Sequence, residues 1–102
     1  MDYLKKPEEC KSKEEIRNQI DQLDREIILH FAKRFEYVKE IVKYKENNPD
    51  AIIDLNRKNK AIDQRGDWAE ELSLDKKTYE NVFRIVVEHN ILKEFEIIKK
   101  EK

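Results

Sequence analysis

From Ile16 onward the apolar side chains recur at Ile20, Leu23, Ile27, Phe31, Val38 and Ile41, in steps of three, four and seven that trace one stripe of an amphipathic helix. The stripe opens behind Ser12-Lys13-Glu14-Glu15, the S-x-x-E form of a capping box, which satisfies orphan N–H groups at a helix start. It closes at Asn47-Asn48-Pro49. The spacing therefore predicts a first helix over about 13–47. Such length is unusual in a globular protein and implies a coiled-coil-like seam or a helix shared between subunits.

Residues 1–11 are polar, with Pro7 among them, and read as an N-terminal extension. Beyond the loop, Ile52-Ile53-Asp54 leads into a weaker helical stretch over about 55–72, for which Ala61, Ile62, Trp68, Ala69 and Leu72 can supply an inner face. Ser73-Leu74-Asp75 offers N-caps for a third helix over about 75–99, where Val82, Phe83, Val86, Ile91 and Phe95 keep helical spacing. No segment alternates as a strand would, and no repeat occurs. The pattern predicts an all-α chain of three helices forming a single domain over 1–102.

Composition narrows this picture. With 44% charged and 38% hydrophobic residues in 102, the core must consist of narrow stripes, and a lone domain of this size buries only a modest share of its surface, so dimerisation would help. Lys plus Arg (22) nearly balances Asp plus Glu (23), which argues against a nucleic-acid partner. No apolar run approaches the roughly 20 residues that span a bilayer, and no signal-type apolar region follows Met1, so no membrane partner is expected and the chain reads as cytoplasmic. Cys10 stands alone, which excludes a disulfide framework or a thiolate zinc site within the chain, and it is expected to be inert. His30 and His89 lack ligand-type neighbours and suit packing or surface roles better than a metal, so no metal site is predicted. One glycine cannot build a P-loop, GxGxxG or GxSxG motif.

The chemistry begins where charge interrupts the seam. Steps of seven from Ile20 give Ile27, Arg34 and Ile41; steps of seven from Arg17 give Asp24, Phe31, Val38 and Lys45. On a continuous helix Arg34 and Lys45 would lie about 20° apart around the axis and about 16 Å apart along it, so both could face one cavity. Arg17 would lie about 100° and about 25 Å from Arg34, out of reach unless two copies pack antiparallel and bring one chain's Arg17 to the other's Arg34 region. Seam cations can also snorkel to the rim or pair with Asp24. A functional role requires a ligand with several carboxylates, which guanidinium forks bind bidentately.

The string Ile16-Arg17-x-x-Ile20-Asp21-x-Leu23-Asp24, with Lys33-Arg34-Phe35-x-Tyr37-Val38 and Lys43-Tyr44-Lys45, resembles the first helix of the small all-helical chorismate mutases. Lys6-Pro7-Glu8-Glu9-Cys10 and the segment from Arg65-Gly66-Asp67-Trp68 to Leu74-Asp75 look like the branch of that family containing isochorismate pyruvate lyases. The resemblance implies a three-helix protomer with one long N-terminal helix, intertwined as a homodimer with two shared sites. Carried over, Arg17 from one subunit and Arg34 grip the two substrate carboxylates, and Lys45 binds the enolpyruvyl ether oxygen. Arg57 helps close the loop region after Asp54, itself a substrate-binding position, while Asn90 and Glu94 line the cavity, Glu94 with Lys45 as the catalytic pair. Two positions depart from the commonest pattern. Many mutases carry a substrate-contacting glutamate where this chain has Lys58, and the lyase branch also lacks it; at Glu94 the usual residue is glutamine.

The implied substrate is a small molecule, chorismate or isochorismate. Both reactions are concerted and need no metal or organic cofactor: the protein folds the substrate into its reactive conformer and stabilises charge separating toward the ether oxygen. The leading expectation is mutase activity, chorismate to prephenate. Lyase activity, isochorismate to salicylate and pyruvate, is the alternative, and both could share one cavity. A helical dimerisation module without catalysis is the remote alternative.

Overall fold

The structure is a computed structural model that describes residues 5–45 and 54–101. In chain order it has a 3-10 turn at Pro7–Glu9, helix α1 (Lys13–Ile41), a second 3-10 turn at Val42–Tyr44, helix α2 (Leu55–Glu71) and helix α3 (Lys76–Glu101). The fold is all-α, with three helices of which the first is the longest and no strand among the described residues. The expected break at Asn47-Asn48-Pro49 and the approach through Ile52-Ile53 lie outside the described residues. No helix among the described residues is long and apolar enough to cross a membrane. The contacts divide the chain into two units, residues 1–36 and 37–102.

In the first unit the start of α1 is fixed much as its sequence suggests, with one shift of partner. Ser12 Oγ accepts the Glu15 backbone N–H at 3.1 Å, which is the forward half of a capping box. Glu15 does not return the bond to Ser12; its Oε2 accepts from the Lys11 N–H at 2.6 Å and its Oε1 from Lys5 Nζ at 3.1 Å. The Lys11 N–H, then the Lys5 ammonium, hold the Glu15 carboxyl below its ordinary value of 4.5. This contribution to stability is present above 4.5 and is lost as pH falls through the lowered value. No residue of α1 is buried.

The second unit holds the buried residues. Helices α2 and α3 are joined through Leu72–Asp75 and run antiparallel, as cross-links between Lys58 and Glu88 and between Lys76 and Asp67 show. Ala61, Ile62, Gly66 and Ala69 form the buried face of α2. A Cβ on Gly66 would stand 2.6 Å from Glu80 Cγ, so this glycine permits the close approach of α3 at a cost in helix propensity of about 1 kcal/mol against alanine. Trp68 and Leu72, expected on the inner face, are 47% and 75% exposed, since small residues and Ile62 occupy the contact instead. Trp68 serves Arg65, whose guanidinium lies 5.1 Å from its ring centroid.

The connection between α2 and α3 is a Schellman motif. Leu74 N–H bonds Ala69 O at 2.9 Å and Ser73 N–H bonds Glu70 O at 3.0 Å, with Ser73 in the left-handed region at φ 64°. Ser73 thus closes α2, and Asp75 is the residue that caps α3: its Oδ2 accepts from the Thr78 N–H at 3.0 Å and from Thr78 Oγ1 at 2.6 Å.

Candidate active site

Helix α1 ends at Ile41 rather than running to 47, and the chain tightens into the 3-10 turn Val42–Tyr44, closed by a 2.9 Å bond from Lys45 N–H to Val42 O. Packing explains the change. Val42 is 1% exposed and forms a buried cluster with Ile98, against which Ile91, Phe95 and Ile97 of α3 pack. Lys45 follows three residues later, off the α-helical spiral, so its place owes nothing to the angular arithmetic of a continuous helix. Glu94 lies one helical turn before Ile98, and the anchored turn delivers Lys45 Nζ to within 3.3 Å of Glu94 Oε1.

This pair is the central charged feature of the second unit. The Glu94 side chain is 6% exposed and that of Lys45 25%. Asn90, one turn earlier on the same face of α3, is also buried, at 9% exposed. An ammonium, a carboxylate and a carboxamide therefore share one partly desolvated place, where charge–charge interactions are stronger than in water. Here the protein can offer donors to an ether or carbonyl oxygen and an acceptor to a hydroxyl.

At the start of α2, Asp54 is the N-cap, its Oδ1 accepting from the Arg57 backbone N–H at 3.0 Å. The Arg57 side chain is exposed. One turn on, Lys58 Nζ pairs with Glu88 Oε1 at 3.0 Å and is only 20% exposed. Nothing in the local sequence signals this pair, because its members lie on different helices.

The other two predicted cations belong to the first unit. Arg17 is exposed on α1. Arg34 is half-buried, and desolvation draws its pKa below the ordinary arginine value. Its Nη1 is buried and has no hydrogen-bond partner among the described residues. A buried donor left unpaired costs about 1–3 kcal/mol, more when charged, so this guanidinium is suited to an anion that the described residues do not supply. Among the described residues no group of three or more His, Cys, Asp or Glu side chains could hold a metal ion.

The described residues thus make an all-helical protein with a half-buried cation, Arg34, on α1 and a partly desolvated Lys45–Glu94 pair in the second unit. The family model for chorismate mutase type II matches residues 16–95. The chain is also 32% identical, over 84 residues that make up 82% of its length and 82% of the relative's, to the isochorismate pyruvate lyase of Pseudomonas aeruginosa. The chain belongs to the chorismate mutase type II family and is an enzyme of that class.

Proposed function

We propose that the chain catalyses the concerted rearrangement of chorismate to prephenate, as a homodimer whose sites receive a dicarboxylate substrate. The observation that carries this reading is the buried Nη1 of Arg34, without a partner among the described residues, a cationic donor suited to a carboxylate. Arg34 and Arg17 grip the two carboxylates, and Lys45 stabilises the negative charge that develops on the ether oxygen as the C–O bond breaks. Glu94 supports the ammonium in the resting pair, and when protonated it can donate to the same oxygen. Asn90 orients the substrate beside them, and Arg57, with Asp54 at the α2 cap, closes the neighbouring loop. The exposed apolar stripe Ile16, Ile20, Leu23 and Ile27 supplies the dimer seam.

A second reading is elimination of pyruvate from isochorismate. Two observations favour it: the activity named for the Pseudomonas aeruginosa relative, and the engagement of Lys58 with Glu88 at the position where many mutases carry a substrate-contacting glutamate. Purified protein given chorismate and isochorismate separately tests both, with prephenate followed by absorbance and salicylate by fluorescence. Prephenate alone establishes the mutase, efficient salicylate release establishes the lyase, and neither product overturns both.

A further inference from the structure

The first unit contains an arrangement that the reaction does not account for. Residues 5–12 lie back along α1 and are fastened to it at three levels. Glu15 holds Lys11 N–H and Lys5 Nζ on its two carboxylate oxygens. Gln19 Oε1 accepts the Lys5 backbone N–H at 3.1 Å. Pro7 and Cys10, with Lys5, line a largely apolar cavity of about 250 Å³ whose other wall is Ile16, Gln19, Ile20 and Leu23. The segment is itself stiffened by the 3-10 turn Pro7–Glu9, in which Glu9 Oε1 accepts the Lys6 N–H at 3.0 Å.

We propose that Lys5–Cys10 is a strap that holds the first turns of α1 and thereby positions Arg17, with Glu15 as its fastening; this rests on the reading of Arg17 as a carboxylate-binding residue. The first turn of a helix lacks intrahelical partners for its N–H groups and frays. Arg17 is only the fifth residue of α1, within reach of that fraying, and within the protomer no residue of α1 is buried, so inside one chain this end is held chiefly by residues 5–11. A cation that must meet a carboxylate at a fixed place needs its backbone held to within about 0.5 Å. At about 100° per residue, Glu15, Ile16, Gln19, Ile20 and Leu23 share one side of the helix, and Arg17 lies roughly 130° from its centre. The strap therefore grips α1 from one side and leaves Arg17 uncovered, in agreement with its exposure.

The test is a double-mutant cycle in kcat/KM on the substrate the wild-type protein turns over, with amide hydrogen exchange as the structural readout. Glu15→Ala is expected to lower kcat/KM about tenfold, almost wholly through KM, while exchange accelerates at residues 16–18. Glu15→Gln, which keeps an acceptor for the Lys11 N–H, is expected to recover part of the loss. In an Arg17→Ala background the same Glu15→Ala change should cost less than about twofold, because the residue it positions is gone. An equal loss in both backgrounds, or an unchanged KM in Glu15→Ala beside a raised KM in Arg17→Ala, would overturn the strap alone. An unchanged KM in Arg17→Ala would remove the carboxylate-binding reading and the strap with it.

Discussion

The two units carry similar helical patterning and solve it differently. In residues 37–102 part of the apolar face finds cover: Val42, Ala61, Ile62, Ala69 and Ile98 are buried, and so are the polar Asn90 and Glu94, while Leu72, Ile85 and Leu92 stay exposed. In residues 1–36 no described residue is buried, and Ile16, Ile20, Leu23 and Ile27 are 45%, 49%, 36% and 49% exposed. Periodicity names the face of a helix that wants cover and not the surface that provides it. Where α2 and α3 cover each other, part of the stripe is core; on α1 it stays open, and the proposed second copy is what would cover it.

The largest effect expected from breaking this comparison lies in the second unit. Lys45→Ala should lower turnover about 10²–10³-fold, as loss of one preorganised electrostatic donor does, with Lys45→Arg restoring only part, because a planar fork does not reproduce a point charge. Unchanged turnover in a steady-state assay would remove the chemistry from this region. Next comes the seam of the first unit. Ile20→Asp should weaken self-association about 10²-fold or more by placing a carboxylate in an apolar contact, seen as a halved mass in sedimentation equilibrium; a mass equal to wild type would mean the stripe is not the interface. A smaller effect sharpens the role of Glu94. Glu94→Gln keeps the side chain's shape and removes the charge that pairs with Lys45 Nζ, and it should change kcat/KM about tenfold; an unchanged kcat/KM would exclude Glu94 from the chemistry. The smallest concerns Ser73, held at φ 64°. Ser73→Gly should raise unfolding stability by about 1 kcal/mol, measured by denaturant titration, since glycine enters the left-handed region without steric cost.

Much of the helical layout was legible because its signals are local. The S-x-x-E string marked the entry to α1, with Ser12 capping Glu15, and Asp75 among the candidates marked the entry to α3. The end of α1 was not legible, for no Gly, Pro or Asn stands between Ile41 and Lys45 and the spiral is tightened by burial of Val42 against α3, more than fifty positions away. For the same reason the arithmetic that set Lys45 about 20° from Arg34 gave way to a different cause, the anchored turn that brings Lys45 to Glu94. The Lys58–Glu88 pair and the fastening of residues 5–12 to Glu15 and Gln19 depend on contacts between segments, which one sequence does not display. The lost forward expectation for Ser73 is instructive in the same way: a residue suited to cap one helix closes the preceding one.

The short tether from Val42 to Lys45 gives the ammonium proposed for the chemistry a particular vulnerability to heat. Only Lys43 and Tyr44 separate a side chain 1% exposed from the group proposed for the chemistry, so softening of the Val42–Ile98 corner would swing Lys45 away from Glu94 while α2 and α3 still hold their hydrogen bonds. Thermal inactivation would then run ahead of the loss of helical signal, and a tighter filling of that corner would extend the working temperature of the enzyme more than it raises its melting point.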